Sequence, residues 1–187
     1  MADPARKRAT YEDLLAVPEH LIAEILDGEL VTMPRPALRH ANASSALGVD
    51  LGSPFQRGRG GPGGWVFLFE PELHLDADVL VPDLAGWRRD RVPDVSAPWT
   101  DVAPAWACEV LSDRTRRTDR VRKLPIYARA GVGHVWLVDP VDRTLEVFRR
   151  QDTSWLLVTT HEGDAVVRAE PFDAIDLALA PLWDPLA

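Results

Sequence analysis

Three charged side chains in the middle of the chain have the types and the spacing to do chemistry together. Asp83 follows Pro82 in LVPDLAGW, Glu109 interrupts the apolar run AWACEVL, and Lys123 closes the basic run RTRRTDRVRK at residues 114–123. Two carboxylates and an ammonium are groups with which a protein holds a cation and offsets charge on an anion. Each also has an ordinary reading. Asp after Pro is common at turns and strand ends. Glu109 could pair with Arg116 or Arg120, and Lys123 could answer Asp119 as an i,i+4 helix pair.

Two features sharpen the question. AWACEVL reads as a central strand covered on both faces, and a carboxylate buried there without a partner costs on the order of several kcal/mol. Secondly, the 21 basic residues are 19 Arg and two Lys, Lys7 and Lys123. Guanidinium is planar and stays protonated, whereas an ammonium is a compact point charge whose pKa can move. One lysine in the body of an arginine-dominated chain points to a position that wants an ammonium.

Composition bounds the rest. At 187 residues and 46% hydrophobic, the chain predicts one domain with a real core, residues 10–187, after a disordered start at 1–9. It contains no run of about 18 apolar residues, and MADPARKRAT is polar, so the expectation is a soluble cytoplasmic protein. Cys108 is the only cysteine, which leaves no disulfide framework and no thiolate metal site; it is expected in the core. A net charge of -8 and a pI near 5.1 argue against a surface coated in nucleic acid, because phosphate binding over a whole surface needs a basic field. A local basic patch exists in Arg114, Arg116, Arg117, Arg120 and Arg122, which reads either as a solvated helix face or as phosphate contacts. The glycine-rich RGRGGPGG at 57–64 lacks the Lys-Ser/Thr ending of a phosphate-binding loop and reads as a connection.

The elements that must position these residues follow from local pattern. Thr10 is a plausible N-cap for a helix over YEDLLAV that Pro18 ends. LIAEILDGELVTM, residues 21–33, predicts a β-hairpin turning at Asp27-Gly28, with Glu24 alternating among apolar neighbours. From Leu38 to Gln56, Ala41, Leu47, Leu51 and Phe55 suit an amphipathic helix that Gly48 and Pro54 weaken. WVFLFEPELHLDADVLVPDLAGW predicts two or three strands, turning at Glu70-Pro71 and at 76–78, with Asp83 at the end of the third. Val121, Leu124, Tyr127 and Ala128 are spaced for a helix capped by Gly131 and disturbed by Pro125. HVWLVDP, TLEVFRR, SWLLVTTH and AVVRAEPF read as strands, and AIDLALAPLW as a short closing helix. The order predicts an α/β or α+β fold, a mixed central sheet flanked by helices with additional antiparallel strands. No dinucleotide fingerprint stands at a strand-to-helix turn.

In this order the residues resemble the PD-(D/E)XK nuclease superfamily and, more closely, its Uma-two family of restriction-endonuclease-like proteins. The resemblance runs from Tyr11 to Trp183 through AEILDGELVTMPRP, His40 opening the first long helix, LVPDLAGW, CEVLSDRTRRTDRVRKLPIYARAGVGHVWLVDP and TLEVFRR. Leu111 stands where the lysine of an E-X-K motif would be, and Lys123 takes the migrated position of the Uma-two pattern. The resemblance implies a restriction-endonuclease-like core and an endonuclease hydrolysing phosphodiester bonds, DNA being the expected substrate, with Mg²⁺ as cofactor and Mn²⁺ as substitute. The alternative is a nuclease fold kept as a non-catalytic binding or interaction module.

Asp83 and Glu109, with the main-chain carbonyl of Val110, would then be the metal ligands, because hard divalent cations take oxygen donors. Lys123 would orient the attacking water or offset charge developing on phosphorus. Glu24 enters as a further acid of the site, as the resemblance implies, and His40, Asp119 and Tyr127 as accessory residues, the last two at i−4 and i+4 from Lys123. Arg114, Arg116, Arg117 and Arg120 would meet phosphates. Apolar strands such as TLEVFRR and SWLLVTT could pair across a two-fold axis in a homodimer.

Overall fold

The computed structural model describes residues 8–187; the sequence expectation for the first seven residues, including Lys7, lies outside them. The chain begins with α1 (Tyr11–Leu15), whose N-cap Thr10 accepts from Asp13 N–H while the Asp13 side chain accepts from Thr10 N–H, a reciprocal capping box. Strands β1 (Leu21–Leu26) and β2 (Glu29–Pro34) form the expected hairpin. Asp27 at φ 52° and Gly28 at φ 81° give the tight turn its two positive φ angles, which Asp-Gly tolerates.

Helix α2 (Leu38–Leu51) follows and widens into a π-turn over Gly52–Gln56. Pro54 has no N–H to donate, and the backbone accommodates it there. The buried stripe is Ala43, Leu47, Leu51 and Phe55; Ala41, expected inside, is exposed. Gly48 survives in mid-helix because Phe69 lies against it, and a Cβ there would come within 2.1 Å of the Phe69 ring.

The stretch expected to hold two or three strands holds four: β3 (Trp65–Phe69), β4 (Leu73–Leu75), β5 (Asp78–Leu80) and β6 (Leu84–Arg88). Asp83 therefore stands at the entry to β6 and not at a strand's end. Strand β7 (Trp106–Val110) is buried at every position. A segment of α3 (Arg116–Thr118), a π-turn (Asp119–Lys123) and α4 (Leu124–Arg129) leads to β8 (His134–Asp139). Pro125, the second residue of α4, sits in the first turn, where its missing N–H costs least. Val121, expected on the buried face, is 59% exposed. Strands β9 (Thr144–Gln151) and β10 (Ser154–Glu162) form a long hairpin. AVVRAEPF contributes only the two-residue β11 (Val166–Val167), paired with β12 (Leu177–Ala178) ahead of α5 (Ala180–Trp183).

A six-stranded sheet runs β10-β9-β8-β7-β6-β3. Every neighbouring pair is antiparallel except β7 and β8. Parallel neighbours need a crossover, and here it is the α3–α4 segment that carries Lys123. A four-stranded sheet, β2-β1-β5-β4, packs the hairpin beside it.

The two faces of the large sheet carry different cores. One buries Phe55, Trp65, Phe67, Trp106, Cys108, Trp136 and Phe172 under α2 and the C-terminal segment. The other buries Leu26, Leu80, Ala107, Leu111, Leu124, Ile126, Tyr127 and Leu137 under the small sheet and α4. Cys108 is fully buried, as expected, and burial together with nearby Asp83 and Glu109 pushes its thiol well above the ordinary range. No helix among the described residues is long and apolar enough to cross a membrane.

Candidate active site

Strand alternation decides where Glu109 points. Trp106, Cys108 and Val110 face the aromatic core, so Glu109 faces the crossover segment above the opposite side. There it is 3% exposed, and both oxygens are engaged: Tyr127 hydroxyl donates to Oε1 at 2.5 Å and Lys123 Nζ to Oε2 at 3.1 Å. The alternative pairing of Glu109 with Arg116 or Arg120 does not form. Arg116 is held by Asp139 at 3.0 Å, with Asp113 and Asp142 farther out, and Arg120 by Glu146 at 2.5 Å.

Lys123 is the hub. Its ammonium lies 2.9 Å from Glu24 Oε1, 3.1 Å from Glu109 Oε2 and 3.5 Å from Asp119 Oδ1. An ammonium has three protons to give and three carboxylates surround it, which a planar guanidinium could not match in the same volume. Burial pulls the Lys123 pKa down, but Glu109, Glu24 and Asp119 outweigh it and hold it well above the ordinary lysine value. Burial pushes Glu109 well up, against the pull of Lys123 and with help from Asp119, Asp83 and Glu24. For Asp119 burial is again the main cause, opposed by Lys123 and the Thr115 hydroxyl, and its carboxyl is pushed up to about 6.

Glu24, on β1, reaches this cluster from the second sheet. It is fully buried, accepts from Val81 N–H at 2.8 Å through Oε1, and leaves Oε2 buried without a partner. Asp83, from the β5–β6 connection, accepts from Val110 N–H at 2.6 Å through Oδ2 and meets His40 Nε2 at 3.1 Å through Oδ1. Burial lowers the His40 pKa, but the hydrogen bond and charge of Asp83 more than compensate, and the net shift is upward.

Asp83, Glu109, Val110, Asp119, Lys123 and His40 line one cavity of about 510 Å³. Of the arginines suggested by sequence, Arg114 lines it; Arg116 and Arg120 are committed to carboxylates, and Arg117 is exposed outside its lining. Arg35, from the segment between β2 and α2, also lines it, and no sequence signal marked it.

The oxygen donors of this cavity have the chemistry of a hard divalent cation site. Buried carboxylates outnumber the single ammonium, and Glu24 Oε2 remains unsatisfied, an electrostatic excess that a cation would relieve. Among the described residues, no three His, Cys, Asp or Glu side chains are gathered as a metal cluster.

Comparison with known proteins matches the chain to a family and to a fold. A family model described as "Putative restriction endonuclease", Uma2, matches residues 8–180. A crystal structure of "a putative nuclease belonging to DUF820" from Anabaena variabilis superimposes with a TM-score of 0.75 at 23% identity, covering 94% of this chain and 97% of that one. The restriction-endonuclease-like fold expected from sequence is thus the fold of the chain. No curated protein matches it.

Proposed function

The chain belongs to the Uma2 family, and on that premise we propose that it is a metal-dependent endonuclease that hydrolyses phosphodiester bonds in DNA. The observation that carries the proposal is the convergence of Asp83, Glu109 and Lys123 on one cavity from three separate elements. Asp83, Glu109 and the Val110 carbonyl would hold Mg²⁺ or, in its place, Mn²⁺. When bound, such a cation supplies Lewis acidity toward a phosphate oxygen and lowers the pKa of a coordinated water.

The chain's own residues do the rest. Lys123, the one ammonium lining the cavity, supplies a fixed positive charge beside the reacting phosphate that offsets the charge developing on its oxygens. Glu24 and Asp119 hold that ammonium in place. Tyr127 steadies the Glu109 carboxylate, and His40 with the Val110 N–H steadies Asp83. Two copies acting as a homodimer would cut both strands of a duplex.

A second reading has one observation in its favour. Both oxygens of Asp83 and of Glu109 are already satisfied within the protein, as they would be in a nuclease fold kept only for binding.

Calorimetric titration of Mn²⁺ into the wild type and Asp83→Ala separates the two. Binding that is lost in the variant, together with Mg²⁺-dependent oligonucleotide cleavage lost at least a hundredfold (about 2.7 kcal/mol of transition-state stabilisation), supports the endonuclease. Metal binding that is equal or absent in both, without cleavage, supports the binding module.

A further inference from the structure

We propose that Arg35 and Arg114, from two separate segments, together clamp the phosphate backbone at the mouth of the cavity and hold the substrate strand. The proposal rests on the nuclease reading of that cavity. The cavity is acidic: Asp83, Glu109 and Asp119 line it beside the one ammonium of Lys123, with the exposed Asp113 at its edge. A phosphodiester approaching four carboxylates is repelled unless cations at the entrance offset them. The protein as a whole adds to that repulsion, with its charge of -8.

Most of the arginines of the basic run cannot supply the offset. Arg116 is spent on Asp139, whose side chain is 3% exposed, Arg120 on Glu146, and Arg122 on the Leu26 carbonyl and Glu29. Arg117 is exposed but does not line the cavity. Arg114 lines it and has no carboxylate partner among the described residues. Arg35, which lines it too, has one bond, a long 3.3 Å contact from Nη2 to the Glu19 carbonyl. These are two exposed guanidiniums lining one acidic cavity, one carried by the β2–α2 connection and one by the turn after β7. Guanidinium is the group that grips phosphate oxygens in a bidentate fork.

The test is fluorescence anisotropy of the full chain with labelled mixed-sequence DNA oligonucleotides, single-stranded and duplex, in EDTA and in Mg²⁺, across a salt series. Arg35→Ala and Arg114→Ala should each weaken binding about tenfold, the loss of one charge-assisted contact. Each should also lower the slope of log affinity against log salt by about 1, and the double variant by about 2. In cleavage assays KM should rise with kcat held. Arg114→Lys should restore the salt slope while recovering only part of the affinity, and Arg117→Ala should change neither.

Wild-type affinity and slope in Arg35→Ala and Arg114→Ala would overturn the clamp and leave the nuclease reading standing. An equal loss in Arg117→Ala would also overturn it, by assigning the effect to the basic surface at large. Binding with the expected losses but no cleavage under any metal would keep the clamp and sink the nuclease reading. No binding by the wild type to either oligonucleotide would sink both.

Discussion

The two faces of strand β7 are built on opposite principles. One turns Trp106, Cys108 and Val110 into an aromatic core in which the Phe172 ring centre lies 4.8–5.5 Å from those of Phe55, Trp65, Phe67, Trp106 and Trp136. The other turns Glu109 into a buried cluster with Lys123, Glu24, Asp119 and Tyr127. The aromatic face needs only shape and area, since apolar burial is non-directional. The charged face tolerates few arrangements, because each buried charge needs a partner at hydrogen-bond distance. Hence the first stabilises the fold and the second specifies a site, and each should fail differently when damaged.

Lys123→Met should do the greatest harm, because it strikes stability and chemistry together. It strips Glu24, Glu109 and Asp119 of their shared cation, and breaking a buried ion pair from one side costs about 3–5 kcal/mol. Urea denaturation should show that loss, and cleavage should vanish even where the variant is folded. Unchanged stability would mean that the carboxylates have another counter-charge.

Phe172→Ala should cost a similar 3–5 kcal/mol as a large core truncation, yet leave cleavage near wild type at temperatures where the variant is folded. Lost cleavage in a folded variant would show that the two faces are mechanically coupled through β7. Asp119→Asn offers the mildest probe. The Asp119 carboxyl, pushed up to about 6 in the fold, binds its proton more tightly than in the unfolded chain. Its contribution to stability is therefore fully present below the ordinary carboxylate range and lost as pH rises toward about 6. The wild type should lose stability across that window, by no more than about 1.4 kcal/mol per pH unit from this group. The Asn variant should flatten that slope in denaturation curves measured at successive pH values; an identical slope would assign it to other groups.

Much of this was legible in the residues themselves. The Asp27-Gly28 turn, the capped α1, the all-buried β7 and the β9–β10 hairpin follow from local pattern that the fold does not override. Glu109 and Lys123 stand out in the sequence, one as a carboxylate in a buried strand that needs a partner and the other as the lone lysine of the body; that each is the other's partner is not in the sequence, which offers Glu109 a cation or an arginine instead. Local pattern marks the prolines as places where a helix yields, weakened at Pro54 and kinked or confined to one side at Pro125, and there regular α-helix gives way to π-turns at Gly52–Gln56 and Asp119–Lys123, with α4 starting around Pro125. What it does not foresee is the π-turn itself, which leaves Val121 exposed. In the stretch after the glycine loop, short paired strands were merged, which displaced Asp83 from the start of one strand to the end of another.

The sequence by itself determined which groups could do chemistry and which stretches would be buried, because residue type sets hydrophobicity, charge and backbone preference locally. Only the tertiary structure decided that Glu24, an ordinary-looking hairpin acid, is fully buried against Lys123, that His40 reaches Asp83, and that Arg116 and Arg120 are held by distant carboxylates while Arg35 and Arg114 are left facing the cavity. Those outcomes depend on which segments the two sheets and the β7–β8 crossover bring within a few ångströms. Proximity of that kind is a property of the packed whole and is written in no single stretch of the chain.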